Sequence, residues 1–407
     1  MFSDRTNWRL VQNRYTQKLE AARAQGVRIL DLTASNPTRV GLRYDEEAML
    51  ESLQSKNALD YDPQAKGLLS AREGVARYYA EHCSRGAQTV DPEHIVLTTS
   101  TSEGYSFVFR LLCNAGDELL VPKPSYPLFE FLADLQDVKL VPYPLIYDHG
   151  WQIDFHSLEK AVTPQTRGVV VVHPNNPTGS YVHESEIPAL NELCRANRLA
   201  LIVDEVFLDY DLRTSEPKAA SQNQRPAGAK AVPTFASNHQ VLTFTLSGLS
   251  KISALPQMKV AWIVTSGPSE QVAAAVARLE VIADTYLSMN APVQWGVPAM
   301  LGQRKNIQQQ LLSRIHQNLA ELDCQLAAQS ACQRLAVEGG WYAVLRVPVT
   351  RSDEELAIEL VQQKSVAVHP GHFYDFETDG YLVVSLISQV AESAEGFSRI
   401  LDYLSCE

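Results

Sequence analysis

No stretch of this chain approaches the roughly 18 consecutive apolar residues that a membrane-spanning helix needs. The N-terminus, Met1-Phe2-Ser3-Asp4-Arg5-Thr6-Asn7-Trp8, lacks the apolar core of a secretory signal, so a cytoplasmic protein is expected. Basic residues are in deficit, with 35 Lys and Arg against 47 Asp and Glu. A net charge of −12 argues against the dense basic surface that nucleic-acid phosphates require. Cysteine is sparse. The six residues Cys83, Cys113, Cys194, Cys324, Cys332 and Cys406 are scattered without a C-x-x-C pair, which points to reduced thiols and no metal site. Internal repeats are absent too. What is present is 407 residues, 45% of them hydrophobic, enough for a large core and more than one domain commonly holds. Two domains are expected.

Strand-like runs near His94-Thr99, Glu118-Val121, Gly168-Val172, Ala200-Asp204, Val241-Leu246 and Val260-Val264 alternate with helical stretches such as Leu68 to Cys83, Ser185 to Ala196 and Ser269 to Ala283. Such alternation predicts an α/β fold with a mainly parallel sheet flanked by helices. Beyond the long helical stretch Leu311 to Ser330 the pattern turns mixed, with strands at Ala343-Val347, Val366-His369 and Tyr381-Ile387 and a helix near Asp353 to Gln363. This fits a smaller α+β domain to which the N-terminal segment returns. Residues 211–240, rich in Ala, Ser, Pro and Gln, read as a mobile surface insertion.

Three segments carry chemistry. In Ser247-Gly248-Leu249-Ser250-Lys251 a lysine sits among small hydroxyl residues and apolar Leu246, Leu249, Ile252 and Leu255. A lysine amine is nucleophilic only when deprotonated, and a partly desolvated site supplies the needed fall in pKa. The run Gly168-Val172 reads as a buried parallel strand, and His173-Pro174-Asn175-Asn176-Pro177-Thr178-Gly179 stops it with a rigid turn. Open α/β sheets bind ligands at that carboxyl end. Leu201-Ile202-Val203-Asp204 ends a second strand in an acid, which could be a helix cap or, beside a pyridine ring, the carboxylate that keeps the ring nitrogen protonated.

Taken in order, Asn176, Asp204, Lys251 and Lys259 resemble the fold-type I enzymes that use pyridoxal 5'-phosphate, and specifically the class I/II aminotransferases, over nearly the whole chain. The resemblance implies a large domain at 45–295 built on a mainly parallel seven-stranded sheet, and a small one formed by 1–44 and 296–407. It makes Lys251 the Schiff-base lysine, Asp204 the partner of the pyridine nitrogen, Asn176 the partner of the phenolic oxygen and Tyr126 the ring-stacking aromatic. Ser100, Thr101 and Ser102, between a strand and a helix start, fall at the phosphate-binding turn. Tyr61, in Tyr61-x5-Gly67-Leu68-x3-Arg72, matches the tyrosine that reaches the phosphate of the neighbouring subunit, which implies a homodimer with shared sites.

Four positions depart from the family pattern. Phe207 stands where a tyrosine commonly donates to the phenolic oxygen, leaving Asn176 as its main partner. Lys259 replaces an arginine at the phosphate and gives up its bidentate fork. Gly248 replaces a hydroxyl, for which Ser247 is the nearest substitute. Val383 occupies the place of the arginine that grips the substrate carboxylate. Arg39 and Arg43, after Ser35 in the segment that covers the site in relatives, are the best replacement cations, and His372 is a weaker substrate-facing candidate.

The implied activity is ping-pong transfer of an amino group between an amino acid and a 2-oxo acid. The alternatives are a lyase, oxidase or cyclase acting on a specialised amino acid or, remotely, a non-catalytic cofactor-binding regulator.

Overall fold

The computed structural model describes residues 1–8, 10–82, 89–213, 232–287 and 289–405. The strands, in chain order, are β1 Leu30–Asp31, β2 Ile95–Thr98, β3 Glu118–Lys123, β4 Lys139–Tyr147, β5 Trp151–Ile153, β6 Thr166–Val172, β7 Ala200–Asp204, β8 Thr243–Gly248, β9 Ala261–Ser266, β10 Gln333–Arg334, β11 Tyr342–Arg346, β12 Val366–Ala367, β13 His369–Pro370 and β14 Tyr381–Ser385.

The large sheet runs β2-β9-β8-β7-β6-β3-β4-β5. Only β9 and the short edge strand β5 pair antiparallel to their neighbours, so the expected seven-stranded, mainly parallel sheet is present with one further strand at its edge. The central strands β6, β7 and β8 are nearly or wholly buried and carry apolar runs such as Val169-Val172, as a sheet covered on both faces demands. One face packs on the helices Thr101–Leu112 and Ser269–Tyr286, through Tyr105, Val108, Phe244 and Leu279. The other packs on the helix Ile187–Asn197, through Leu190, Cys194 and Val203. β4, like the short β5 and β10, is not announced by the sequence pattern, and within it Pro142 and Pro144 argue against a ladder. Both prolines lie outside the stretch paired to β5, so their missing N–H groups cost no bond on that edge.

A second, antiparallel sheet, β10-β11-β14-β13, forms the smaller unit with the helices Arg304–Leu326 and Val390–Ser405. Part of the N-terminal segment packs against this unit: Leu30 and Asp31 pair in parallel with Val366 and Ala367, and Ser385 N donates to Leu32 O at 2.7 Å. The run read as one strand, Val366-His369, is two short pieces that pair with different partners. Most of 211–240 lies outside the described residues, but its far end is firmly seated. Phe235 is 2% exposed, and Glu205 accepts from Thr234 Oγ1 and Phe235 N at 2.7 and 2.6 Å. Among the described residues no helix is long and apolar enough to cross a membrane, no cluster could hold a metal, and four cysteines are unpaired.

Candidate active site

Asp204 closes β7 and Lys251 follows β8, the adjacent strand, so the sheet ladder brings together two residues far apart in the chain. Lys251 stands on a short helical turn, Leu249–Ile252, rather than on a strand. Gly248 precedes it for a steric reason: a Cβ there would meet Val260 O at 2.7 Å and Ala261 Cβ at 2.9 Å. The Lys251 Nζ lies 4.6 Å from the Trp341 ring centre and 5.5 Å from that of Phe207, and donates to Ser35 O at 3.3 Å. Tyr210 donates to the Lys251 carbonyl at 2.7 Å and packs edge-on against Trp341, which braces the turn. Burial between these rings pulls the ammonium pKa down to about 8, partly opposed by the Asp204 charge.

Asp204 is only 7% exposed. Its Oδ1 accepts from Val206 N at 3.0 Å and its Oδ2 from the Tyr105 hydroxyl at 3.1 Å. Burial pushes its pKa up to about 6, against the pull of those two donors and of Lys251. The acid is thus ionised at neutral pH, with little margin.

The turn after β6 is bound to the opposite wall. Asn175 Nδ2 donates to Pro124 O and Thr178 Oγ1 at 3.0 and 2.9 Å, and its Oδ1 accepts from Ser125 Oγ at 3.1 Å. Gly179, at φ +71°, closes the turn where any Cβ would strike Val337 Cγ2 and Gly339 O. Asn176, by contrast, has a buried Oδ1 with no hydrogen-bond partner. A buried amide oxygen without a partner, on the turn that follows β6, suits a polar ligand in the cleft. Tyr126 is 42% exposed, rests edge-on against Phe129, and feels the Asp204 charge, so an aromatic face is offered beside the acid.

Of the hydroxyls before the helix Thr101–Leu112, Ser100 is spent as its cap, accepting from Glu103 N at 3.1 Å, while Glu103 Oε2 returns to Thr99 N at 2.6 Å. Thr101 and Ser102, half-buried in the first turn, keep theirs unengaged among the described residues. Lys259 is exposed, in a left-handed conformation at φ 54°. Ser247 does not reach this cleft: it is fully buried and donates its hydroxyl to Glu205 O at 3.2 Å. Tyr61 is 84% exposed. Arg72 anchors its segment by donating to Gly67 O and Pro92 O and pairing with Glu93. Ser35 touches the lysine through its carbonyl, not its hydroxyl. Arg39 and Arg43 are exposed with guanidinium groups in solvent, and only the Arg43 backbone is held, by Gln310. His372 is exposed on the turn Gly371–Tyr374, where Tyr374 O accepts from Ser125 N at 3.0 Å and ties the small unit to the wall carrying Tyr126. Val383 is fully buried, opposite Val344 and His369.

Three residues of this geometry escape sequence reasoning: Tyr105, Tyr210 and Trp341. Tyr105 stands one turn after Thr101 in the helix behind the phosphate-like turn, and Trp341 follows the Gly339-Gly340 pair. An aromatic at either place is usually read as core.

A mainly parallel α/β sheet flanked by helices, plus a small antiparallel sheet, is also the architecture of known aminotransferases. The alanine aminotransferase of Pyrococcus furiosus superposes with a TM-score of 0.86 at 20% identity, covering 100% of both chains. An aminotransferase from Escherichia coli gives 0.83 at 22%, over 100% of this chain and 98% of that one. In sequence, the chain is 26% identical to the glutamate-pyruvate aminotransferase AlaA of Haemophilus influenzae, over 94% of this chain and 92% of that protein. It is 27% identical to the arginine–pyruvate transaminase AruH of Pseudomonas aeruginosa, over 92% and 90%. The chain belongs to the aminotransferase class I and II family, whose sequence model matches residues 28–392. It is an enzyme that transfers amino groups.

Proposed function

We propose that this aminotransferase works with pyridoxal 5'-phosphate held in the cleft between β7, β8 and the β6 turn, and shuttles an amino group between an amino acid and a 2-oxo acid. The observation that carries the proposal is the Lys251 and Asp204 pair: burial moves the amine down to about 8 and the acid up to about 6, so both are poised near neutrality. When bound, the cofactor supplies an electron sink for the substrate's α-carbon. The chain's own groups do the rest. Lys251 Nζ, free of its proton at a mildly alkaline pH, is the general base at the α-carbon and the group that returns the proton. Asp204 holds a proton on the ring nitrogen. The Asn176 Nδ2–H group would donate to the phenolic oxygen, Tyr126 would cover the ring face, and the first-turn N–H groups and hydroxyls of Thr101 and Ser102, with Lys259, would take the phosphate. Phe207 offers no donor, so the phenolic oxygen depends on Asn176.

Pyruvate is a fitting amino acceptor, since two relatives are named for reactions with it. The donor's carboxylate is not gripped by a strand arginine, because Val383 is an apolar core residue. This second point keeps a lyase, oxidase or cyclase acting on a specialised amino acid as the rival reading. We further propose that the enzyme is a cytoplasmic homodimer, supported by the exposed Leu59, Tyr61 and Leu69 on one stretch of chain. Incubating the loaded enzyme with single amino acids distinguishes the reactions. A stoichiometric 2-oxo acid and an aminated cofactor support transfer. Catalytic ammonia or peroxide without an acceptor would sink it.

A further inference from the structure

Tyr105 is 2% exposed and lies four residues after Thr101 on the helix Thr101–Leu112. Phe129 and Phe109 hold its ring edge-on at 5.2 and 5.8 Å, and Phe129 also abuts Tyr126 at 6.2 Å. The Tyr105 hydroxyl is the only side-chain donor to Asp204 among the described residues, and it takes Oδ2 while the Val206 N–H takes Oδ1. A carboxylate has about four acceptor positions, so two donors leave lone pairs for a further N–H from the cleft.

We infer that Tyr105 is a positioning residue for cofactor binding: its hydroxyl keeps Asp204 ionised and turns the remaining Asp204 lone pairs toward the ring nitrogen. This rests on the pyridoxal phosphate reading above. A protonated Asp204 would itself be a donor and would repel a protonated ring nitrogen, so the ionisation state of one buried oxygen decides whether the ring is held in its electron-accepting form. Burial and the adjacent carboxylate push the phenol's own pKa well above its ordinary value, which leaves it a donor throughout the working range. A hydrogen bond to a charged group favours that charge by roughly tenfold to a hundredfold. Without Tyr105 the acid limb near pH 6 therefore climbs toward neutrality.

The test measures pyridoxal phosphate affinity of the apoprotein against pH for the natural protein, Tyr105→Phe, Asp204→Asn and the double variant. Tyr105→Phe is expected to move the acid limb of affinity up by about one pH unit. Asp204→Asn removes the limb and weakens binding, and adding Tyr105→Phe then costs little more. A cofactor analogue with CH in place of the ring nitrogen should bind the natural protein and Tyr105→Phe alike. Equal losses in both backgrounds, or with the analogue, would mean a packing role and overturn the inference. An Asp204→Asn protein that binds the cofactor normally overturns the Tyr105 role together with the assignment of Asp204 to the ring nitrogen, whereas a natural protein that binds no pyridoxal phosphate overturns the underlying cofactor reading instead. Should Tyr105→Phe not fold, 3-fluorotyrosine at 105, a stronger donor of nearly the same shape, must move the limb down. An unmoved limb refutes the role.

Discussion

Asp204 costs this protein stability, and the cost can be worked out. Its pKa rises from 3.8 to about 6 on folding because the carboxylate loses water in the cleft. Each unit is about 1.4 kcal/mol, so the ionised acid destabilises the apoprotein by roughly 3 kcal/mol. The sign follows from proton counts. Between about pH 4 and 6 the folded state holds more protons than the unfolded one, so stability falls as pH rises through this window. Above it the full penalty applies, and below it there is none. Asp204→Asn removes the charge, and its amide oxygen can still accept from Tyr105, while its new N–H donors lack a certain partner. A net gain of about 1 to 2 kcal/mol is expected above pH 7, a rise of a few degrees in melting temperature for a chain of this size. The assay is thermal or urea denaturation of cofactor-free protein at pH 8 and pH 4.5. The variant should be more stable than the parent at pH 8, indistinguishable near pH 4.5, and weaker in cofactor affinity throughout the alkaline range. A gain of equal size at both pH values would falsify the electrostatic explanation.

Lys251 in the apoprotein should undergo reductive methylation with a midpoint near pH 8, followed by peptide mass spectrometry; a midpoint above 10, as for solvent lysines, contradicts its desolvation. Phe207→Tyr should restore a donor at the phenolic oxygen and lower the pH at which the bound cofactor's absorbance changes, and an unchanged titration would show that the new hydroxyl points elsewhere. Gly179→Ala should cost several kcal/mol, since its Cβ would lie 2.4 Å from Val337 Cγ2 and 2.5 Å from Gly339 O at a positive φ, and a stability loss under 1 kcal/mol by denaturation would contradict that packing. If Tyr61 serves the neighbouring subunit, mixing inactive Lys251→Ala and Tyr61→Phe chains should restore activity, because one site per hybrid dimer then has both residues; no recovery despite proven hybrid formation refutes the sharing.

The central strands of the sheet were legible because each is an apolar run ended by a turn or a polar residue. The turn after β6 was legible because two prolines and a glycine fix it. What escaped was governed by contacts between distant segments. β4 carries two prolines and is recognisable only once it is known that β5 leaves them unpaired. Ser247 looks like a phosphate hydroxyl from its spacing, yet strand alternation turns it into the sheet toward Glu205 O. Tyr105 and Trp341 resemble ordinary core aromatics, and their roles depend on β7 and the Lys251 turn lying beside them. The arginines after Ser35 are exposed, and what they would bind is not legible from their position in the chain.

The pairing of β7 with β8 has an evolutionary consequence. Asp204 and Lys251 are held in register by ladder contacts from Leu201 with Thr243 to Asp204 with Leu246, so their separation does not depend on the chain that connects them. That connection leaves the sheet after one functional residue and re-enters it before the other, and its closure entropy grows only logarithmically with length. Segments there can lengthen, shorten or be exchanged while the acid and the amine stay where the chemistry needs them. Selection on the length of that connection is thereby uncoupled from selection on the spacing of the proton-handling pair.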